Sequence, residues 1–230
     1  VIDIHSHVLP FVDDGSDNME MSLAMIREAS EAGVTDLFLT PHYMRLRDYL
    51  SNASENREIF SELTNKVKQE GISIKLYLGN EIYYSLDILD ALRTGTIIPL
   101  GNSNKVLVEF SLFEEDEEIT EAIHNIKSLG YVPIIAHPER YPYISKLSDY
   151  EIIKQMGALI QLNASSIIGQ RDKLAHKKAV AIIKAGLADF IASDQHVPGK
   201  NHLEEARNII NRKFGLPVAK ALFENTVVLE

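Results

Sequence analysis

The stretch Leu129-Gly130-Tyr131-Val132-Pro133-Ile134-Ile135-Ala136-His137-Pro138-Glu139-Arg140 contains the unit from which the whole chain is built. A helical pattern over residues 117–129 stops at Gly130, a residue that tolerates the left-handed backbone closing a helix. Residues 132–136 then read as a buried strand: short, apolar and bounded by turn residues. His137, Glu139 and Arg140 follow at once, so groups able to bind metal or phosphate stand where a strand ends.

Outward from this stretch, the unit recurs. Strand patterns over residues 1–4, 34–40, 74–78, 106–110, 132–136, 158–162 and 190–192 alternate with helical patterns over 19–32, 54–70, 86–93, 117–129, 150–156 and 174–185. Glycine marks helix ends again at Gly33, Gly71, Gly157 and Gly186. This alternation predicts an α/β fold of repeated β/α units around a mostly parallel sheet, read as a barrel. Two further helical patterns, 203–213 and 217–224, are expected to close its remaining gap.

Composition narrows the function. With 230 residues, 45% of them hydrophobic, the chain is expected to form one domain over residues 1–230 around one core. It has no cysteine, which excludes disulfide frameworks, thiolate-held zinc and a thiol nucleophile. A formal net charge of −10 and the lack of a dense Lys/Arg patch argue against nucleic acid as a partner. No apolar run approaches the roughly 20 residues that span a bilayer, and no basic-then-apolar leader opens the sequence. The expectation is a cytoplasmic protein without membrane insertion.

Barrel active sites are built at the C-terminal ends of the strands, and nearly every strand pattern here ends in a potential metal ligand. The series is Asp3-Ile4-His5-Ser6-His7, Thr40-Pro41-His42, Gly79-Asn80-Glu81, Val108-Glu109-Phe110, Ala136-His137-Pro138-Glu139-Arg140 and Ala192-Ser193-Asp194-Gln195-His196. His5 and His7 are two apart, so on an extended chain both imidazoles point to one face; Asp194 and His196 repeat the spacing. Taken singly, His42, Glu81 and Glu109 read more simply as polar residues where a strand meets solvent. Taken together, the coincidence favours a shared metal site.

These motifs, with Val12-Asp13-Asp14-Gly15-Ser16 and Gly79-Asn80-Glu81-Ile82-Tyr83-Tyr84, resemble those of the PHP (polymerase and histidinol phosphatase) superfamily over essentially the full chain. Within it the chain is most similar to the bacterial protein-tyrosine phosphatases of capsule and exopolysaccharide operons. The resemblance implies a distorted seven-stranded (β/α)7 barrel, TIM-barrel-like, that carries three divalent metal ions, with manganese favoured and iron, cobalt or zinc as alternatives. Carried over position by position, it implies His5, His7, Asp14, His42, Glu81, Glu109, His137, Asp194 and His196 as ligands, with Asp14 preferred to adjacent Asp13. Five neutral imidazoles and four carboxylates would leave three divalent ions a surplus of +2, suited to a phosphate dianion.

On this reading a metal-activated hydroxide attacks phosphorus and Arg140 clamps the phosphoryl oxygens. The bland alternative for Arg140 is a surface salt bridge with Glu139. The implied substrate is a phosphotyrosine protein, in particular a bacterial tyrosine kinase that governs polysaccharide export. The rivals are a histidinol-phosphate or other small-molecule phosphoesterase and, from another class, a non-catalytic kinase-binding regulator. Phe11, Tyr43, Tyr49, Tyr83, Tyr84 and Tyr141 could hold a phosphotyrosine ring or simply pack. Arg45 and Arg47 are expected on a solvated loop, and His124 and His176 on solvated helices, while His202 is near enough to His196 to approach the mouth. The acidic run 114–118 is expected to cap the helix that follows.

Overall fold

The structure is a computed structural model that describes residues 1–50, 52–113, 118–169 and 172–230, with Leu46 described through its backbone. The elements run β1 (Ile2–Asp3), α1 (Met19–Glu31), β2 (Asp36–Leu39), β3 (His42–Tyr43), α2 (Ala53–Gln69), β4 (Lys75–Leu78), β5 (Glu81–Tyr83), α3 (Ile88–Thr94), β6 (Lys105–Glu109), α4 (Ile119–Ser128), β7 (Val132–Ala136), α5 (Leu147–Gln155), β8 (Leu159–Asn163), α6 (Ala164–Ile168), α7 (Lys173–Lys184), β9 (Phe190–Ala192), α8 (Leu203–Phe214) and α9 (Leu216–Phe223). Every ladder between these strands is parallel, as β/α alternation requires. The five glycines expected to end helices, Gly33, Gly71, Gly130, Gly157 and Gly186, all take positive φ.

The α/β arrangement of parallel strands matches the expectation, while the strands are distributed differently from the seven patterns. The strands form two sheets, ordered β1-β2-β4 and β3-β5-β6-β7-β8-β9, because the chain breaks just beyond the second and third strand patterns and resumes each time as a further short strand. The first break falls at Pro41, which has no N–H to give a ladder. Its carbonyl instead accepts from the Glu81 N–H at 3.2 Å and the Asn80 Nδ2 at 3.0 Å. The second falls at Gly79-Asn80, where a Cβ on Gly79 would lie 2.7 Å from Leu100 Cδ2 and 3.2 Å from Leu100 Cα, a close passage that glycine eases. Beyond each break the chain resumes as β3 or β5 in the other sheet, and both resumed strands begin with a predicted ligand, His42 or Glu81.

β1 and β9 share no ladder, yet the segments beyond them are tied by Asp194 N–H to the His5 carbonyl and His7 N–H to the Gln195 carbonyl, both 2.9 Å. Of the terminal helices, α8 packs on α6 and α9, and α9 packs on β9. Side chains at alternate strand positions divide between two cores. Ile2, Phe38, Leu107, Ile134 and Phe190 join one cluster, completed by Val228 from the C-terminal turn. Leu37, Val106, Ile135, Ile160 and Ile191 face the helices, against Ile26, Leu63, Ile123, Ile153 and Ile182. Asn18, Asn52 and Asp172 cap α1, α2 and α7 through their side chains. Of the acidic run, residues 114–117 lie outside the described residues, and Glu118 precedes α4 without a side-chain cap bond. Among the described residues no helix is long and apolar enough to cross a membrane.

Candidate metal centre

The nine residues singled out from the sequence meet at one place. His5 and His7 lie just beyond β1, Asp14 before α1, His42 and Glu81 at the starts of β3 and β5, Glu109 at the end of β6, His137 directly after β7, and Asp194 and His196 after β9. Their donor atoms form four overlapping groups, each within 4.8 Å: His7, Asp14, His42 and His196; His5, His7 and Glu81; His5, His137 and Asp194; and His42, Glu81 and Glu109. The strand spacing that motivated the two pairs operates only in part. Regular β1 stops at Asp3, and Asp194 takes a positive φ of 50°, so long-range contacts rather than strand alternation aim these side chains. His137 also has positive φ, 36°, an uncommon and strained state for a residue with a Cβ.

The donor set fits divalent cations. Glu81 Oε2 lies 3.1 Å from His5 Nε2, 3.2 Å from His7 Nε2 and 3.1 Å from His42 Nδ1. Despite this crowding, the oxygen and His42 Nδ1 have no hydrogen-bond partner, and neither has Glu109 Oε1, which is 3.2 Å from the same imidazole nitrogen. His5 Nε2 and His7 Nε2 approach each other at 3.2 Å. Donor atoms crowded into a buried pocket, several of them without a hydrogen-bond partner, are what a cation would bind. A nitrogen and oxygen set without sulfur suits manganese, iron, cobalt or zinc better than calcium.

Electrostatics point the same way. Burial disfavours charge on His5, yet Glu81 and Asp194 outweigh it and raise that imidazole to about 9. For His7, burial is likewise overcome, chiefly by Asp13, and the ring is held well above its ordinary value. Glu81 and Asp194 would be raised by burial, but the neighbouring imidazoles hold both well below the usual carboxylate range. His196 differs: burial, then the charge on His7, lowers it to about 4, which leaves it neutral and its lone pair available.

The surrounding layer was not legible in the sequence. Asp13, adjacent to the predicted ligand, accepts from His7 Nδ1 at 2.7 Å and the His42 N–H at 2.9 Å through Oδ2, and from the Gly15 N–H at 3.0 Å through Oδ1. Gly15 lies so close that a Cβ there would be 2.1 Å from the His7 carbonyl oxygen. Asp13 thus orients His7, while Asp14 turns its Oδ1 toward His42 Nε2 at 3.4 Å and His196 Nε2 at 3.6 Å. Gln161 Oε1 meets His5 Nδ1 at 3.0 Å, and Asn163 Nδ2 donates to Asp194 Oδ2 at 2.6 Å. The signals for Asp13 are its place beside Asp14 in the motif over residues 12–16 and its position six residues after His7. Asp13→Asn turns an amide hydrogen toward one of those donors and is expected to lower activity about 10–100-fold. Titration of activity with manganese should recover much of the loss at high metal.

A cavity of about 540 Å³ opens over the centre, with Arg47 and Arg140 on its wall beside Met44, Tyr83, Leu112 and Phe113. Arg140 pairs with Asp194 Oδ2 at 3.3 Å. Its expected partner in the bland reading, Glu139, is buried and accepts from the Asn163 N–H instead, which corrects that pairing. Arg45 and Arg47 are exposed, as a solvated loop implies, and each finds a carboxylate: Arg47 reaches Asp14 Oδ2 at 3.1 Å and Arg45 pairs with Asp87. Of the candidate aromatics, Tyr83 lines the cavity and Tyr49 stacks on His42, whereas Tyr43, Tyr84 and Tyr141 are core residues and Phe11 is exposed. His124 is exposed, and His176 bonds the Ser166 carbonyl. His202 lines a neighbouring cavity with Arg140 and Asp194.

The sequence profile of the CpsB/CapC family, capsular polysaccharide synthesis, matches residues 1–228. The tyrosine-protein phosphatase CpsB of Streptococcus agalactiae is 33% identical over 97% of this chain and 95% of its own length. The tyrosine-protein phosphatase YwqE of Bacillus subtilis is 29% identical over 100% of this chain and 91% of its own. A solved structure described as one of B. subtilis YwqE and Streptococcus pneumoniae CpsB, metal-dependent tyrosine phosphatases, superposes with a TM-score of 0.92 at 28% identity, covering 100% of this chain and 94% of that one.

Proposed function

The chain belongs to the CpsB/CapC family of capsular polysaccharide synthesis proteins, and from that premise we propose that it is a metal-dependent protein-tyrosine phosphatase. The observation that carries this reading is the convergence of three imidazole nitrogens on one carboxylate oxygen of Glu81, none aligned to donate, at the floor of a cavity walled by Arg140. His5, His7, Asp14, His42, Glu81, Glu109, His137, Asp194 and His196 hold three divalent ions, with manganese the first choice. Metal ions in such a site supply Lewis acidity and bring the pKa of water down to about 7.

The chain's own groups do the rest. Arg140 presents a planar fork to the phosphoryl oxygens and neutralises charge as the ester bond breaks. Its pairing with Asp194 holds the fork at the cavity wall. The leaving phenol has a pKa near 10, so tyrosinate departs without a strong general acid. The apolar wall of Tyr83, Leu112 and Phe113 suits an aromatic ring. We read the two sheets together as a distorted seven-stranded barrel, supported by the hydrogen bonds that tie the segments beyond β1 and β9. The substrate we favour is a phosphotyrosine protein of the cytoplasm, a tyrosine kinase governing polysaccharide export.

Turnover of a phosphotyrosine peptide beside histidinol phosphate tests the reading; preference for the latter would make this a small-molecule phosphatase. Binding of a tyrosine kinase with no hydrolysis of either would leave only the regulator. Arg140→Lys keeps the charge and loses the fork, so KM for the peptide is expected to rise roughly 10–100-fold, the scale of a lost charge-assisted hydrogen bond, while bound metal is unchanged. An unchanged KM would remove Arg140 from substrate binding.

A further inference from the structure

We infer that Glu28, on helix α1 outside the metal centre, is a positioning residue that holds the loop carrying His196 and thereby sets how firmly that part of the centre keeps its metal. This rests on the metal-centre reading above and adds to it a support outside the ligand set. The loop between β9 and α8 runs from Ser193 to His202 with no helix or strand of its own. Three of its residues, Asp194, Gly199 and His202, take positive φ (50°, 78° and 59°), so its path is an irregular one that must be imposed by bonds from elsewhere. The start of the loop is anchored to the segment after β1, through the Asp194 N–H to the His5 carbonyl and the His7 N–H to the Gln195 carbonyl.

Past Gln195 the anchor changes. Glu28 Oε2 accepts from Gln195 Nε2 at 2.8 Å and from the Gly199 N–H at 2.7 Å, and Glu28 Oε1 accepts from the Asn201 N–H at 3.1 Å. Asn201 Nδ2 closes the set by donating to Gln195 Oε1 at 3.3 Å. One carboxylate therefore grips the loop on both sides of His196, immediately before it and three and five residues after it. Hydrogen bonds to an ionised acceptor are about twice as strong as neutral ones. The grip is also rigidly based, because Met25, Ile26 and Ala29 of the same helix are buried in the core.

His196 itself depends on this support. Its side chain is 32% exposed, and its polar contacts are to Asp194 on its own loop and, at 3.6 Å, to Asp14 Oδ1 on another loop. Its ring also stacks on His7, at 3.9 Å between centroids, another member of the centre. A surface glutamate with no such task would spread its oxygens toward solvent or a neighbouring turn; both oxygens of Glu28 instead address one loop, at residues 167 to 173 positions away.

The test compares wild type, Glu28→Ala, Glu28→Gln and Arg27→Ala, the last a control on the same helix whose partner is Glu70. Each protein is loaded with manganese, and two quantities are read: manganese per chain by elemental analysis, and its rate of release to a chelator. Glu28→Ala is expected to release one class of manganese roughly tenfold faster or more, the scale seen when partners of metal ligands are removed. Glu28→Gln should fall between, since it keeps one accepting oxygen and turns an N–H toward a donor. Arg27→Ala should match wild type, and excess manganese should restore kcat to Glu28→Ala. Wild-type stoichiometry and release in Glu28→Ala, even with a lowered Tm, would overturn the inference and leave Glu28 a plain loop staple. A wild-type chain that binds no manganese would instead overturn the metal centre, and this inference with it.

Discussion

Glu81→Gln is expected to empty the centre of metal and to lower phosphotyrosine hydrolysis by well over 100-fold. Loss of a group that merely orients a ligand already costs about 10–100-fold, and Glu81 belongs to two of the four donor groups. Its Oε2 faces His5, His7 and His42, while Oε1 stands 3.1 Å from His137 Nε2. Glutamine keeps the volume of a side chain that is 1% exposed, so the fold should survive the change. What it removes is the anionic oxygen around which three imidazoles are arranged; Asp194 Oδ1 approaches two of them, at 3.4 and 3.5 Å, and Glu109 Oε1 the third, at 3.2 Å. Elemental analysis and turnover, with circular dichroism to verify folding, check the result. Exhaustive chelation of the wild type should reproduce the loss and manganese should reverse it, whereas manganese should not rescue the variant. Hydrolysis that persists in metal-free wild-type protein would eliminate the mechanism.

The second large effect is on pH. In the metal-free chain His5, raised to about 9, and His7, also raised, hold protons at neutral pH that must leave before either ring can bind a cation. Metal uptake therefore releases protons, and affinity should climb by up to roughly tenfold per pH unit for each proton displaced. A histidine raised on folding contributes stability that is complete below its ordinary 6.5 and fades as pH rises toward about 9. Asp13 has the opposite sign. Burial would raise it, but His7 and His42 hold it at about 2, so its contribution is complete above 3.8 and fades as pH falls toward 2. These groups take stability away below about pH 4 and above about 6.5; between those limits His196, lowered to about 4, and Asp3, raised to about 6, act with opposite slopes. Metal should compensate for the loss above that window. Thermal melts with manganese and with chelator should show a Tm gap that widens from pH 6 to pH 9, and a gap that stays constant across that range would contradict the assignment.

Much of the fold and site can be read from local pattern alone. Apolar runs followed by His or acid are written in consecutive residues, as in residues 132–140, and in parallel β/α units those strand ends necessarily face one rim. That is why His5, His42, Glu81, Glu109 and His137, far apart in the chain, already form a group in the sequence. The helix-ending glycines are equally local, because one residue's φ decides them.

Other features have no local signature. Val34–Thr40 looks like one strand, yet the break at Pro41 that swings His42 into the second sheet depends on carbonyl partners supplied by Asn80 and Glu81. Asp13 and Asp14 are chemically identical neighbours, and their division into a group that orients His7 and a group that faces His42 and His196 follows from the close passage of Gly15 over His7. Glu28 is an ordinary helix residue until the loop from β9 arrives beside it.

By itself, then, the order of residues determined which side chains the strand ends deliver and that they would suit a cation and a phosphate. Only the tertiary structure decided which atom of each faces inward and what holds it there. Periodicity constrains the backbone within a few residues, whereas orientation comes from hydrogen bonds and packing between segments that meet only after folding.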